Sequence, residues 1–196
     1  MAGLLCFFAV PRRWTSFDLA DPNVEADLAA HVRRNWAGVA AEPELLEAVT
    51  AAQLSALRQA RDSGVVAWAV DGEGTGAPED PLSFISLTVG LYPLDDSIAV
   101  PTGAGGAGST LSGGSVKPLA VGGDDLVGFT HERQVMLAFP GAAEPVSCYQ
   151  AQSQVASEAA GAIAVCTVTT PDSRKHREAR EVAVAVASTV RLVPAQ

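Results

Sequence analysis

The polar triplet His131-Glu132-Arg133 has the clearest potential for acid–base chemistry in this sequence. An imidazole next to a carboxylate can move a proton when both groups face a shaped pocket. The triplet instead follows a long stretch rich in glycine and serine, and it precedes an apolar run that begins at Val135. The sequence therefore favours a solvated turn that leads into a strand, with an acid–base pair as the alternative.

The other residues that could hold a metal or a nucleotide lack the required spacing. His31, His131 and His176 are dispersed, without a histidine partner four residues away or an HExxH frame for zinc. The run 103–108 matches G-x-G-x-x-G, but it has neither the preceding strand nor the following helix of a dinucleotide site. The sequence also contains no G-x-S-x-G elbow, P-loop or paired-carboxylate frame. We therefore expect no cofactor, no metal site and no catalytic activity.

The three cysteines, Cys6, Cys148 and Cys166, form neither a disulfide framework nor a CxxC motif. Each lies inside an apolar run, where a free cysteine packs like a small hydrophobic residue. We expect three buried thiols. A disulfide between Cys148 and Cys166 on neighbouring strands is the alternative.

Two tryptophans are candidate interaction anchors. Trp14 and Trp36 lie at the ends of predicted elements, where an indole often closes one end of a core. Tryptophan is also favoured as an anchor in protein interfaces. Core packing and an exposed position in an interface are therefore the two interpretations of these residues.

The composition argues against several classes of partner. The formal net charge of -9 at pH 7 disfavours nucleic acid and anionic lipid, because phosphate groups are bound by clustered lysine and arginine. No apolar run reaches the roughly 18 residues that a membrane span needs. The N-terminal LLCFFAV is too short for the apolar core of a signal peptide and has no basic segment before it. We expect a cytoplasmic protein without membrane insertion.

The last third of the chain predicts a buried strand followed by an amphipathic helix. Residues 162–169 are apolar on both faces, which is typical of a strand inside a sheet. Pro171 ends this strand, and Asp172 or Ser173 can cap the helix that follows. Apolar residues at helical spacing form one stripe on that helix: Ala179, Val182, Ala183, Val186 and Val190.

The preceding segments predict two more helices and several strands. Helices begin at Asp21-Pro22 and Glu42-Pro43, since an acidic residue followed by proline is a typical helix start, and they end near Gly38 and Gly64. The strands are predicted at 4–10, 15–19, 65–70, 82–92, 135–139, 146–155 and 162–169. The segment 97–125 is rich in glycine, serine and threonine without apolar periodicity, which predicts a long flexible loop.

This order of elements predicts a single α+β domain, residues 1–196, with a central, largely antiparallel sheet and helices packed on it. The strands at 65–70 and 82–92 are expected to form an antiparallel pair. At least two strands are apolar on both faces. We therefore expect helices to cover both sides of the sheet, at least in part.

The segment FFAVPRRW resembles the P-x-x-W start of Mog1/PsbP-like proteins, including the LpqN-like proteins of actinobacteria. Two helices, a central antiparallel sheet and the closing unit TVTTPDS…VAVAVASTVRLV follow in a similar order. The resemblance covers most of the chain and implies an α/β/α sandwich used mainly for binding or assembly, usually without catalysis. Lipoprotein members of the family carry an export signal that this sequence lacks, and no functional residue carries over from the family.

Two hypotheses about function remain. The first is a non-catalytic protein-binding or assembly module with a protein partner or with itself, for example as an accessory of a larger bacterial machine of the secretion type. The second is a small-molecule-binding protein or hydrolase-like enzyme with a pocket near residues 95–133. A buried cluster that joins His131 to a carboxylate or a cysteine would favour the second. An exposed apolar patch or a free strand edge would favour the first.

Overall fold

The computed structural model describes residues 4–36, 43–71, 85–94, 116–122, 126–137 and 144–194. The helices in these ranges are α1 Val24–Trp36, α2 Pro43–Asp62 and α3 His176–Ser188. The strands are β1 Leu4–Phe7, β2 Trp14–Asp18, β3 Val65–Asp71, β4 Ser86–Pro93, β5 Lys117–Leu119, β6 Leu126–Leu137, β7 Val146–Ser157, β8 Ala162–Thr170 and β9 Arg191–Pro194.

Seven of the strands form one sheet in the order β2-β3-β4-β8-β7-β6-β5. Every neighbouring pair in this sheet is antiparallel. The predicted pairing of the strands at 65–70 and 82–92 is confirmed, with Ala69 of β3 opposite Leu87 of β4. The remaining two strands form a separate antiparallel pair, the β1–β9 ribbon. The predicted α+β fold with an antiparallel sheet is therefore confirmed.

The helices lie on both faces of the seven-stranded sheet. α3 packs against β7 and β8, and the core on that face includes Ala69 and Leu87. α1 and α2 pack against each other and against β2 and β3, around a second core that includes Phe17 and Trp68. Successive side chains of a strand point to opposite faces, so Trp68 and Ala69 lie on different sides of the sheet. The two cores are consequently separated by the sheet.

α3 matches the predicted amphipathic helix. A short 3-10 turn, Ser173–Lys175, precedes it, and Asp172 Oδ1 caps this turn by accepting from the Arg174 backbone N–H (2.9 Å). Ala179, Ala183 and Val186 are buried in the core on this face of the sheet. Valine lowers the intrinsic helix propensity, so burial of the apolar stripe is the main term that stabilises α3.

α1 and α2 begin and end close to their predicted positions. Asp21 Oδ1 accepts a hydrogen bond from the Asn23 backbone N–H (2.8 Å) before the first turn of α1. Gly64 follows α2 with φ +82°, a left-handed conformation that glycine adopts without steric cost. α2 is 20 residues long and carries charged side chains at both ends. In the described ranges, no helix is both long and apolar enough to cross a membrane.

The N-terminal strand departs from the prediction of a strand buried inside the sheet. β1 pairs with β9, and the register places Leu5 opposite Val193. Its inner side chain Cys6 packs against the core, whereas Leu5 and Phe7 are 48% and 56% exposed. An apolar run cannot distinguish a strand that is buried on two faces from one that leaves an apolar face in water. The prediction for this strand is therefore wrong about its environment.

Three other strands also differ from the prediction. β6 begins at Leu126 rather than at Val135, because polar residues on both of its faces hide the alternation. β5 lies within the predicted loop 97–125, of which residues 97–115 and 123–125 are outside the described ranges. β9 follows α3 directly and is absent from the prediction, since Val190 continues the apolar stripe of the helix.

Candidate functional site

The pleat of β6 separates the three side chains of the His131-Glu132-Arg133 triplet. Glu132 points to the face that α3 covers, where its Oε2 accepts a hydrogen bond from the Tyr149 hydroxyl (2.6 Å). His131 and Arg133 share the other face, because side chains two residues apart in a strand point the same way. His131 is 5% exposed and lies mid-strand. The prediction of a solvated turn is therefore wrong.

Polar side chains line the face of the sheet that carries His131. In one row across four strands, His131 is opposite Gln152, Gln152 is opposite Thr167, and Thr167 is opposite Thr88. The Gln152 side-chain Nε2 donates to Thr167 Oγ1 (3.1 Å). This side-chain hydrogen bond joins β7 to β8 in the middle of the row.

A second row lies two residues further along each strand. Arg133 Nε donates to Gln150 Oε1 (2.9 Å), and Gln150 Nε2 donates to Thr169 Oγ1 (3.2 Å). The two rows together form the polar sheet face: Thr88, His131, Arg133, Gln150, Gln152, Thr167 and Thr169. The sequence signal for this face is the alternation of glutamines at 150, 152 and 154, which the sequence analysis did not use.

His131 differs from the rest of the polar sheet face, whose other side chains are half-buried or exposed. Its Nε2 is buried and has no hydrogen-bond partner in the part of the chain that the structure describes. Burial lowers the pKa of His131 below its ordinary value of 6.5, and the charge of Arg133 lowers this pKa further. The imidazole is therefore neutral at neutral pH and keeps one ring nitrogen unpaired.

Glu132 belongs to a different arrangement, a polar network that joins β6 and β7 to α3. The Tyr149 ring stacks on the His176 ring, with 4.3 Å between the ring centroids. Arg180 Nη1 lies 3.7 Å from Glu132 Oε1. Burial and the hydrogen bond to Glu132 raise the pKa of the Tyr149 phenol, so the hydroxyl stays protonated and remains a donor. This network fixes the start of α3 on the sheet.

A second charged group lies near the start of α3, around Asp71 at the end of β3. Asp71 is buried, with Arg13 Nε 3.8 Å from its Oδ1 and Lys175 Nζ 4.0 Å from its Oδ2. Arg13 also forms an ion pair with Glu178 of α3. Charges of opposite sign thus offset the cost of burying the carboxylate. The group joins the β2–β3 edge of the sheet to α3.

A cavity of about 390 Å³ lies at the turn between β2 and α1. Its lining includes Asp18, Asp21 and Arg61, and none of its lining residues falls in the segment 95–133. Asp18 Oδ1 accepts from the Ala20 backbone N–H (2.9 Å), and Asp21 Oδ1 accepts from the Asn23 backbone N–H (2.8 Å), so both carboxylates support the turn itself. Within the described ranges, no three His, Cys, Asp or Glu side chains come together in a group that could hold a metal ion.

All three cysteines are free thiols, and Cys148 and Cys166 are buried as predicted, whereas Cys6 is half-buried rather than buried. Cys148 is opposite Val135 and Cys166 is opposite Ser153. Cys148 and Ser153 are five positions apart on β7, so Cys148 and Cys166 point to opposite faces of the sheet and cannot pair. The alternative of a disulfide between them is wrong. Burial raises the pKa of Cys166 to about 12, which makes it a poor nucleophile.

The two candidate anchors have different environments. Trp14 is 6% exposed and packs in the core on the α3 face, as the core-packing interpretation predicts. Trp36 is the last residue of α1, and its side chain lies outside the part of the structure that is described. Its role as an anchor therefore stays a prediction. The G-x-G-x-x-G run at 103–108 also falls outside the described ranges.

The β1–β9 ribbon presents a group of apolar side chains to solvent. Leu5, Phe7 and Val193 are 48%, 56% and 43% exposed and point outward from the ribbon. Leu5 is directly opposite Val193, and Phe7 follows two residues further along the same face. We call these three side chains the outer ribbon face. The sequence analysis missed this surface because every residue from Leu4 to Val10 is apolar.

No protein-family model and no curated protein matches this chain. The similarity to Mog1/PsbP-like proteins consequently rests on the P-x-x-W segment and on the order of the elements. The surfaces described above are interpreted from their own chemistry.

Proposed function

We propose that the chain is a non-catalytic protein-binding or assembly module that holds a protein partner on the outer ribbon face. The observation that carries this proposal is the side-by-side exposure of Leu5, Phe7 and Val193. Apolar area that lies together in water favours association, because burying it against a partner releases hydrating water. The most exposed of the three, Phe7, also has the largest area to bury.

The ribbon also offers main-chain hydrogen-bonding groups. Among the described residues, the outer edges of β1 and β9 pair with no further strand. A partner segment in extended conformation can add to such an edge as a third strand, with main-chain hydrogen bonds for affinity and side-chain contacts for specificity. Two strands alone are marginally stable in water, so a third strand would stabilise the ribbon.

The net negative charge of the chain favours a positively charged partner. Two copies of a chain with net charge -9 repel each other, whereas a segment with net positive charge is attracted. Arg191, opposite Phe7, donates through Nη1 to the Val190 carbonyl (2.7 Å) and so turns toward its own chain. The expected partner is therefore an extended, basic segment of a different protein. An accessory role in a larger bacterial assembly, of the secretion type, suits a module of this kind.

Catalysis is not part of the proposal. The pleat of β6 keeps Glu132 away from His131, and Cys148 is four cross-strand pairs away from the His131–Gln152 pair. These side chains do not form the buried cluster that would favour a hydrolase-like enzyme. The free ribbon edge and the apolar patch are the features that favour a binding module instead.

Site-specific photo-crosslinking tests the proposal. A photoreactive phenylalanine analogue replaces Phe7 in one variant and Met136 in another. Met136 is the matched control, because it is 63% exposed and lies near the end of β6, outside the ribbon. After irradiation in lysate of the source cells, we expect one abundant protein adduct at position 7 and none at position 136. Mass spectrometry should place the crosslink in a basic segment of the partner.

A second set of variants separates specific docking from chance contact. Leu5→Ser with Val193→Ser, in the variant that carries the analogue at position 7, should abolish the adduct while circular dichroism stays unchanged. The same adduct at both positions would contradict docking on the ribbon. An adduct between two copies of this chain, with a dimer in light scattering, would show self-association and contradict the basic partner.

A further inference from the structure

We infer that the partner of the outer ribbon face pairs as a third strand with the free edge of β1, and not with β9. The main-chain groups of Cys6 and Phe8 form this docking edge. This docking mode rests on the proposed function, since it presupposes that a partner binds the ribbon. The partner is an extended, basic segment of a different protein, with apolar residues at alternate positions.

The main-chain groups at the start of the chain alternate between the two edges of β1. The exposure of the side chains alternates strictly over residues 5–10, which is the pattern of an extended segment. The Ala9 N–H donates to Thr189 Oγ1 (2.9 Å), so it points to the side on which β9 lies. Successive residues of an extended segment direct their N–H and C=O to opposite edges. The N–H and C=O of Phe8, and likewise those of Cys6, therefore point to the edge away from β9.

Pro194 independently indicates the same arrangement. Leu4 is opposite Pro194, and proline has no N–H to donate to a neighbouring strand. Hydrogen-bonded and non-hydrogen-bonded pairs alternate in an antiparallel ladder, so the pair that exchanges main-chain bonds is the next one, Leu5 with Val193. Leu5 thus directs its main-chain groups to β9, which again places those of Cys6 on the other edge.

The main-chain groups of Cys6 and Phe8 have no hydrogen-bond partner on that edge among the described residues. Their side chains point the other way from the outer ribbon face and pack against the core on the α3 face. Buried side chains thus hold the edge in place while its N–H and C=O groups are left for another strand. Unpaired groups of this kind are the ones that β-strand addition uses.

The outer edge of β9 offers fewer groups. Arg191 donates through Nη1 to the Val190 carbonyl (2.7 Å), so its guanidinium lies beside the start of this edge. A Cβ atom on Gly122 would lie 2.9 Å from Arg191 Nη2, which shows that the segment after β5 packs against the same guanidinium. Pro194 lacks an N–H. Within β9, Leu192 alone therefore keeps both an N–H and a C=O for a partner on this edge.

Charge and side-chain pattern also favour the β1 edge. β1 has no charged residue, whereas β9 carries Arg191. A basic strand beside β1 is one strand spacing, about 4.8 Å, further from this guanidinium than a strand beside β9. Every second side chain of the added strand lies next to Leu5 and Phe7, where an apolar residue forms a stabilising cross-strand pair. The alternation of apolar residues in the partner follows from this geometry.

Amide nuclear magnetic resonance with a defined peptide tests the docking edge. The probe is the acetylated and amidated peptide KKTVTVTKK, and its control KKTTVVTKK has the same composition without alternating valines. With the isotope-labelled full chain, the probe should shift the Cys6 and Phe8 amide signals in a saturable way and slow their hydrogen exchange. The Leu192 amide should keep its exchange rate. The control and the acidic peptide EETVTVTEE should each bind roughly tenfold more weakly or worse.

A main-chain variant removes one hydrogen bond and keeps the side chain. Phenyllactic acid at position 8, introduced by nonsense suppression, replaces the Phe8 N–H by an ester oxygen. It should weaken binding of KKTVTVTKK roughly threefold to tenfold, which corresponds to the loss of one hydrogen bond. Phenyllactic acid in place of Phe17 is the matched control, because Phe17 lies in β2 and in the core on the opposite face of the sheet. Chemical-shift maps of both variants show whether the fold is kept.

The outcomes separate the docking edge from the proposed function. Equal affinity of the position-8 ester and the wild type, or slowed exchange at Leu192 in place of Cys6 and Phe8, would overturn pairing along β1. The outer ribbon face would still stand if Leu5→Ser with Val193→Ser abolished binding in that case. Absence of saturable binding by KKTVTVTKK would overturn the docking edge, while the crosslink at position 7 decides the function. Binding that none of these variants weakens would contradict both.

Discussion

His131 and Glu132 are adjacent in the sequence, but they point to opposite faces of the sheet and have different electrostatic environments. Glu132 accepts a hydrogen bond from the Tyr149 hydroxyl and lies 3.7 Å from Arg180 Nη1. His131 is buried beside Arg133, where a positive charge on its ring would be repelled. A side chain in that position is neutral in the folded chain and protonates more readily once the chain unfolds. The same holds for His31, whose pKa is lowered by burial and by Arg34.

This difference predicts a loss of stability in mild acid. Between the ordinary histidine pKa of 6.5 and the lower folded value, the unfolded chain binds more protons than the folded chain. The contribution of the two histidines to the free energy of unfolding should therefore have its full value above about pH 7. Below that pH the free energy of unfolding should fall, by up to about 1.4 kcal/mol per pH unit for each histidine. Urea titrations between about pH 7.5 and about pH 5.5 measure this slope. His131→Gln and His31→Gln should each reduce it, and equal slopes in all three proteins would contradict the assignment.

At the scale of elements, α3 is the element on which the fold depends most. Val186 is 1% exposed in the middle of the stripe that packs on the sheet. Val186→Asp would bury a carboxylate without a partner, and we expect it to cost about 3 kcal/mol or more, a large part of the stability of a typical domain. Thermal melts followed by circular dichroism measure the loss.

Ala185→Asp is the matched control for this prediction. Ala185 is the preceding residue of α3 and is exposed, so the same carboxylate enters water instead of the core. Its expected cost is about 1 kcal/mol, from lower helix propensity and from the negative end of the helix dipole. Similar melting temperatures for the two variants would show that α3 does not close the sheet.

The elements that the sequence predicts well are those with a local signal. Asp21 and Gly64 mark helix ends, and the residues Ala179, Ala183 and Val186 mark a buried helical stripe. The prediction for β1 is wrong because the sequence pattern of an apolar strand is the same whether its outer face meets a helix or water. The predicted start of β6 is wrong for the converse reason, since a half-buried polar face removes the apolar alternation on which the prediction depends. Both candidate surfaces therefore lie where pattern and environment disagree.

At the scale of the whole molecule, the seven-stranded sheet and the β1–β9 ribbon differ in how they are held. The central strands are covered by helices on one or both faces and pair with neighbours on both edges. The ribbon pairs only with itself among the described strands and contacts the core through inner side chains such as Cys6 and Leu192. A short strand with one neighbour opens at a lower free-energy cost than a central strand. Local opening of the ribbon should consequently precede global unfolding.

The three free cysteines report this order, because each part of the molecule carries its own thiol. Cys6 lies in β1 and is half-buried, whereas Cys148 and Cys166 are fully buried in β7 and β8. Burial raises the pKa of Cys6 to about 11, so it should react with an aromatic disulfide reagent after local opening. We expect the Cys6 thiol to react first, at a rate that hardly changes at low urea concentrations. The Cys148 and Cys166 thiols should react more slowly, at rates that depend on urea as steeply as global unfolding does. Cys6→Ser should remove the first phase alone. A single phase for all three thiols would show that β1 opens together with the sheet.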